Sequence, residues 1–197
     1  MKIGLVPMAG KPVHAGHWGL IQIAANENDS VKVFASTGDR DFIRGVDMMQ
    51  VWQDYLIPAL PGNVEVVFVP VPVKSVYDEL QAGESSRSKD TYVIYSDEED
   101  ILKYKDESLK KNAPNLRKKK QIELRGVSRT ETVNVSGTKM REYLAAGDFK
   151  AFAKFLPAAV RQHAKEIVNI LTSKPANKKN VKEAILRRYI AELLLGS

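Results

Sequence analysis

Two histidines stand three positions apart near the N-terminus, in the run Gly10-Lys11-Pro12-Val13-His14-Ala15-Gly16-His17. Residues at that spacing share one face of a helix, so His14 and His17 can be aimed at one group. An anion suits them best. Gly16 removes a side chain where a phosphate would approach the backbone, and the loop residues Gly10 and Lys11 precede it, Lys11 with a positive charge. A helix start here would add unpaired N–H donors and the positive end of a dipole. Zinc is the other ligand class for such a pair, but it needs further ligands. The remaining histidine, His163, is far along the chain and there is no cysteine. No metal site built from side chains is expected.

A second group lies at Ser136-Gly137-Thr138-Lys139-Met140-Arg141. Ser136 has the chemistry of a helix N-cap. Ser136, Gly137 and Thr138 also offer hydroxyls and backbone N–H groups to an anion. Arg141, three residues beyond Thr138, shares its face and can fork onto phosphate oxygens. Each group alone has an ordinary structural reading, as a capped helix or a surface histidine pair. Weaker candidates follow other strands. Arg40 and Arg44 are equally suited to an acceptor phosphate or to a loop ion pair, and Asp97 to a ribose or acceptor contact or to an acidic first helical turn. Arg125 and Arg129 precede the second group and are further phosphate candidates.

What distinguishes the two groups is where the elements put them. Residues 3–6, 31–35, 64–69 and 91–95 are short, apolar and β-branched, as buried strands are. Helical spacing recurs over 15–28, 47–60 and 76–82. The alternation predicts an α/β fold, a Rossmann-like parallel sheet with helices on both faces. The first strand of such a sheet ends at the carboxyl edge where ligands bind, and His14 and His17 follow it directly. Residues 103–120 are lysine-rich and weakly periodic and are expected to form a mobile excursion over the active-site rim. Short strands are expected at 121–125 and 131–135, then a helix over 136–146 ended by Gly147. Helices over 149–155 and 157–171, a linker over 172–180 and an amphipathic helix over 181–195 complete the chain. This divides it into a Rossmann-like domain, 1–147, and a helical C-terminal extension, 148–197. The last helix can dock on its own domain or on a second subunit, so a homo-oligomer is an open alternative.

Composition narrows the function classes. The chain has 197 residues, 44% hydrophobic and 27% charged, the balance of a soluble globular protein. Without cysteine, disulfides and thiolate catalysis are excluded. No apolar run approaches the roughly 18 residues of a membrane span, and the N-terminus is broken by Pro7 and Gly10, unlike a signal peptide. The expected location is the cytoplasm. The net charge of +6 suits a small polyanion. Nucleic acid is a poorer partner, because no aromatic residues interleave with Arg117-Lys118-Lys119-Lys120 to stack bases.

The two motifs together resemble those of the HxGH nucleotidylyltransferase superfamily, which includes nicotinamide-mononucleotide adenylyltransferases and cytidylyltransferases. Pro12-Val13-His14-Ala15-Gly16-His17 matches the signature after strand one, and Ser136-Gly137-Thr138-Lys139-Met140-Arg141 the signature opening a late helix. The resemblance covers residues 1–147. One position departs: Gly10 stands where the family has an aromatic. The resemblance implies that an acceptor's phosphate oxygen attacks the α-phosphorus of a nucleoside triphosphate and pyrophosphate leaves. It implies that His14 and His17 stabilise charge on the transferring and leaving phosphates, that Arg141, Ser136 and Thr138 hold the β- and γ-phosphates, and that Mg²⁺ bridges phosphate oxygens with few protein ligands. Adenylyl transfer from ATP to a small phosphorylated acceptor such as nicotinamide mononucleotide is the favoured expectation. Cytidylyl transfer from CTP, and a catalytically silent nucleotide-binding module acting in an assembly, are the alternatives.

Overall fold

The computed structural model describes residues 1–128 and 130–173. Five strands make one sheet: β1 (Lys2–Met8), β2 (Ser30–Ser36), β3 (Val64–Val69), β4 (Thr91–Asp97) and β5 (Ile122–Val127). Their spatial order is β3-β2-β1-β4-β5, and every pairing is parallel. Each crossover carries helix: α1 (Ala15–Glu27), α2 (Gly45–Val51), α3 (Pro72–Ser85), then α4 (Asp106–Asn112) with α5 (Pro114–Lys118). After β5 come α6 (Gly137–Ala145), α7 (Phe149–Phe155) and α8 (Ala164–Thr172). The expected α/β class, parallel sheet and helices on both faces are all present.

Strand periodicity divides the core. In β1, Val6 and Met8 face one apolar cluster while Ile3 and Leu5 face the other. In β4, Val93 and Tyr95 part in the same way from Tyr92 and Ile94. The first cluster takes Ile21 and Ala24 of α1, Met48 and Val51 of α2, and Met140 and Leu144 of α6. It also takes Phe152, Leu156, Val160, Ile167, Val168 and Leu171, so the described part of the C-terminal helices packs against the same sheet face. The second cluster is capped by Val76 and Leu80 of α3 with Leu109, Ala113 and Leu116. Because β1 lies between β2 and β4, strand order reverses beside it, and a crevice opens at the carboxyl ends of β1 and β4.

Four local expectations are corrected. Residues 103–120 form no polar excursion over the rim. Leu109, Ala113 and Leu116 are buried, and their spacing of four and three makes a helical stripe, interrupted only by Pro114, which starts α5. Only the short 3₁₀ turn Asp100–Lys103 and Tyr104 border the crevice. Residues 131–135 are not a strand; they turn back over α1, with the Glu131 carboxylate accepting from Ser128 N–H and pairing with Arg125. The 47–60 helix changes winding: α2 gives way to a π turn, Trp52–Leu56, and a 3₁₀ turn, Ile57–Ala59, where Pro58 has no N–H to continue an α-helix. The 157–171 helix begins as a 3₁₀ segment, Ala158–His163, before α8. The 181–195 helix lies outside the described residues.

Candidate active site

The loop from Met8 to His14 leaves the centre of the sheet at its carboxyl edge. Met8 still pairs with Ala35 of β2. Gly10 then takes φ +50°, a conformation that favours glycine, and an added Cβ would lie 3.1 Å from Val13. Glycine at position 10 therefore has a backbone reason. Lys11 is 4% exposed, and its Nζ donates to the Ser36 carbonyl at 2.8 Å. Burial pulls its ammonium down to about 8, with Asp39 opposing the shift and Arg40 adding to it.

His14 is the N-cap of α1, and its Nδ1 accepts from the His17 N–H at 3.4 Å. That bond leaves the His14 proton on Nε2. The two rings stack with centroids 3.8 Å apart and 23° between planes. Burial, then the neighbouring His17, drives the His14 imidazole down to about 2. Burial holds His17 at about 4 against the opposing pull of Asp97. Both rings are therefore neutral near pH 7 and act as N–H donors rather than cations. His17 Nδ1 is buried without a hydrogen-bond partner. Gly16 meets a packing limit first: a Cβ there would lie 2.9 Å from the Val133 carbonyl and 3.1 Å from the His14 ring.

The second motif faces the first. Ser136 caps α6 by accepting from Lys139 N–H at 3.1 Å. Arg141, 9% exposed, donates from Nη1 to the Lys11 carbonyl at 2.8 Å and from Nη2 to Thr138 Oγ1 at 3.1 Å. Its Nε pairs with Asp41 at 2.6 Å. Gly137 lets the helix start approach this guanidinium, since a Cβ would come within 3.3 Å of it. Ala9, Gly10, Lys11, His17, Arg40, Gly137, Thr138 and Arg141 line one cleft of about 160 Å³. It holds three basic side chains and the start of α6, the donors and charge that a polyanion requires.

Two further clefts adjoin it. One of about 260 Å³ runs over α1 and β4–β5, between His14, Gly16, His17, Ser96, Asp97, Val133 and Ser136. The other, about 220 Å³, lies beyond Pro7, Met8 and Ala9 against Ser36, Pro72, Val73, Lys103 and Tyr104. The structure thus brings together His14, His17, Arg141, Gly10, Lys11, Gly16, Ser136, Gly137, Thr138, Arg40 and Asp97. It does not bring in Arg44, whose guanidinium is committed to a bidentate pair with the buried Asp47. Arg125 is likewise held by Glu131 and Glu27. Arg129 lies outside the described residues. Asp97 Oδ1 accepts from the Glu99 and Asp100 N–H groups, so it caps the following turn as well as lining the cleft.

No family model matches the chain, and no curated protein does. Solved structures do match. One is a structure from Vibrio parahaemolyticus described as a candidate nicotinate-nucleotide adenylyltransferase, with TM-score 0.56 and 15% identity over 83% of this chain and 98% of that one. Another is Thermotoga maritima TmcAL bound with alpha-thio ATP, with TM-score 0.51 and 14% identity over 86% of this chain and 56% of that one. At these identities the likeness is one of fold, an α/β parallel sheet of the kind both structures share. In that fold the crevice at β1 and β4 is the open edge of the sheet, where both motifs lie.

Several residues here carried no signal in the sequence. Asp41 sits in a turn with no pattern around it. Thr132, Val133 and Val135, which wall the cleft over α1, belong to the segment expected as a strand. Val73 and Tyr104 line the third cleft, and only knowing that β4 lies beside β1, with β3 one strand beyond on the other side, would have selected them.

Proposed function

We propose that the chain is a nucleotidylyltransferase that transfers a nucleoside monophosphate, AMP from ATP in the favoured form, to a small phosphorylated acceptor and releases pyrophosphate. The observation that carries this reading is the Arg141–Lys11 bond, which closes both motifs around one cationic cleft. A triphosphate tail fits that cleft, with the nucleoside in the cleft over α1 and the acceptor in the third, across the Met8–Ala9 edge. The acceptor's phosphate oxygen forms the new bond to the α-phosphorus as the bond to the β-phosphate oxygen breaks. No side chain is needed as a covalent nucleophile, so catalysis is positioning and charge stabilisation. His14 Nε2–H and the His17 ring donate to the transferring and leaving phosphates. Arg141, Thr138, Ser136 and Gly137 N–H hold the β- and γ-phosphates, with Lys11 beneath and Arg40 at the side.

Mg²⁺ fits as an ion carried by the phosphates. Among the described residues no group of three or more histidine, aspartate or glutamate side chains is placed to hold a metal. Asp97 and Asp100 are the carboxylates that line the neighbouring cleft over α1. When bound, the ion would neutralise phosphate charge. Among the described residues no helix is long and apolar enough to cross a membrane.

The test is release of pyrophosphate from ATP, CTP, GTP or UTP with Mg²⁺ and a panel of phosphorylated acceptors, nicotinamide mononucleotide included. Release with ATP and one acceptor is expected. Release with CTP alone would replace adenylyl by cytidylyl transfer. No release with any combination would leave the nucleotide-binding module.

A further inference from the structure

Among the described residues Arg141 has one anionic contact, Asp41, at the exposed tip of a turn whose last residue, Ile43, is buried in the core. The Lys11 carbonyl and Thr138 hydroxyl take one N–H from each Nη. The Asp41 carboxylate forms an ion pair at the Nε side of the guanidinium, at 2.6 Å. The first two acceptors are neutral. Asp41 supplies the countercharge for a guanidinium whose side chain is only 10% exposed, although Asp41 itself is 62% exposed.

The turn that carries Asp41 is exposed at its tip and anchored at its ends. Arg40 and Ile43 exchange two backbone hydrogen bonds, 2.8 and 3.0 Å, and close a four-residue turn with Asp41 and Phe42 at its centre. Asp41 has φ +53°, a left-handed conformation that aspartate tolerates better than most residues at a modest cost. Phe42 beside it is 45% exposed. The base of the loop, in contrast, is fixed. Gly45 N–H bonds to Asp39, and Gly45 packs so tightly on the Thr37 carbonyl that a Cβ has no room. The tip can therefore withdraw without unpacking the core.

We propose that Asp41 is an exchangeable counter-ion for Arg141, holding the guanidinium in the ligand-free protein and giving it up to the incoming polyphosphate. This rests on reading the Lys11–Arg141 cleft as the phosphate seat. A polyphosphate in that cleft carries several negative charges against one on Asp41. It both outcompetes the carboxylate for the guanidinium charge and repels it. Release of Asp41 is thus a cost subtracted from polyphosphate binding, and Asp41 limits affinity rather than supplying it. A residue that merely oriented Arg141 would do the opposite.

Metal-free titration of inorganic pyrophosphate at fixed ionic strength separates these roles. Asp41→Asn and Asp41→Ser are each expected to bind pyrophosphate at least fivefold more tightly than wild type. In an Arg141→Gln background, Asp41→Asn is expected to change affinity less than twofold. Equal or weaker binding by both single variants would overturn the exchange and leave the phosphate reading standing. A fivefold gain that persists without Arg141 would also overturn it, because simple repulsion would then suffice. If neither wild type nor either Asp41 variant binds pyrophosphate, the phosphate reading fails and the exchange with it.

Discussion

Arg141 Nη1 donates to the carbonyl of Lys11 at 2.8 Å across 130 positions of sequence. The bond ties the start of α6 to the loop after β1, so neither motif can shift without the other. It leaves the arginine's outer N–H groups and the neighbouring Lys11, Arg40 and His17 directed at one cleft.

If the reaction uses the histidine pair, removing the ring nearer the phosphate cleft should be costly. His17→Ala is expected to lower turnover at least tenfold, equivalent to about 1.4 kcal/mol of transition-state stabilisation. Steady-state pyrophosphate release measures this, with a thermal melt to establish that the variant folds. Unchanged turnover would remove the pair from the mechanism.

The same pair makes stability depend on pH. Both imidazoles are depressed below the ordinary value of 6.5 in the folded protein. The unfolded chain therefore takes up protons first as pH falls below 6.5, and stability present above that value is lost toward pH 4. The slope is at most about 1.4 kcal/mol per pH unit for each histidine. Urea unfolding between pH 7.5 and 5 should show it, and the His14→Gln/His17→Gln variant should have a flatter profile. An identical slope in that variant would assign the effect elsewhere.

Arg40 and Arg44 stand four residues apart and should behave differently. Arg40→Ala is expected to weaken pyrophosphate binding by about tenfold, the scale of one charge-assisted phosphate contact. Arg44→Ala should leave binding within twofold but lower the melting temperature, because it strands the buried Asp47 at the start of α2. Reversal of the two results would place the acceptor or triphosphate on the other side of the loop.

Packing against the second sheet face has its own test. Leu109→Ala and Leu116→Ala are each expected to cost about 2–5 kcal/mol of stability, the range for a fully buried leucine. A polar excursion over the rim would tolerate both substitutions with little change in the urea midpoint.

Gly16→Ala probes the contact between α1 and the 131–135 loop. The added methyl meets a backbone carbonyl at 2.9 Å and the His14 ring at 3.1 Å, so overpacking of about 1–3 kcal/mol is expected. A drop in turnover larger than the stability loss explains would show that the loop or ring position, not folding, is what glycine protects.

Alternating apolar strands and 3.6-period helices are local patterns, so the parallel α/β class, and the place of His14 and His17 after β1, were legible from neighbouring residues alone. Ser136 as a cap and Gly147 as a helix stop were legible for the same reason, since capping is decided within one turn of chain. The Leu109, Ala113 and Leu116 stripe was present but diluted by lysines, which snorkel from a helix as readily as they populate a loop. Other features belonged to the tertiary structure. Whether Arg44 or Arg40 faces the cleft depended on Asp47, which is near in sequence but buried only once α2 docks. Asp41 meeting Arg141, and Arg141 meeting Lys11, depended on strands β1, β2 and β5 ending at one edge. Contacts of that kind join residues with no shared period, and only chain closure around a common core brings them within hydrogen-bond reach.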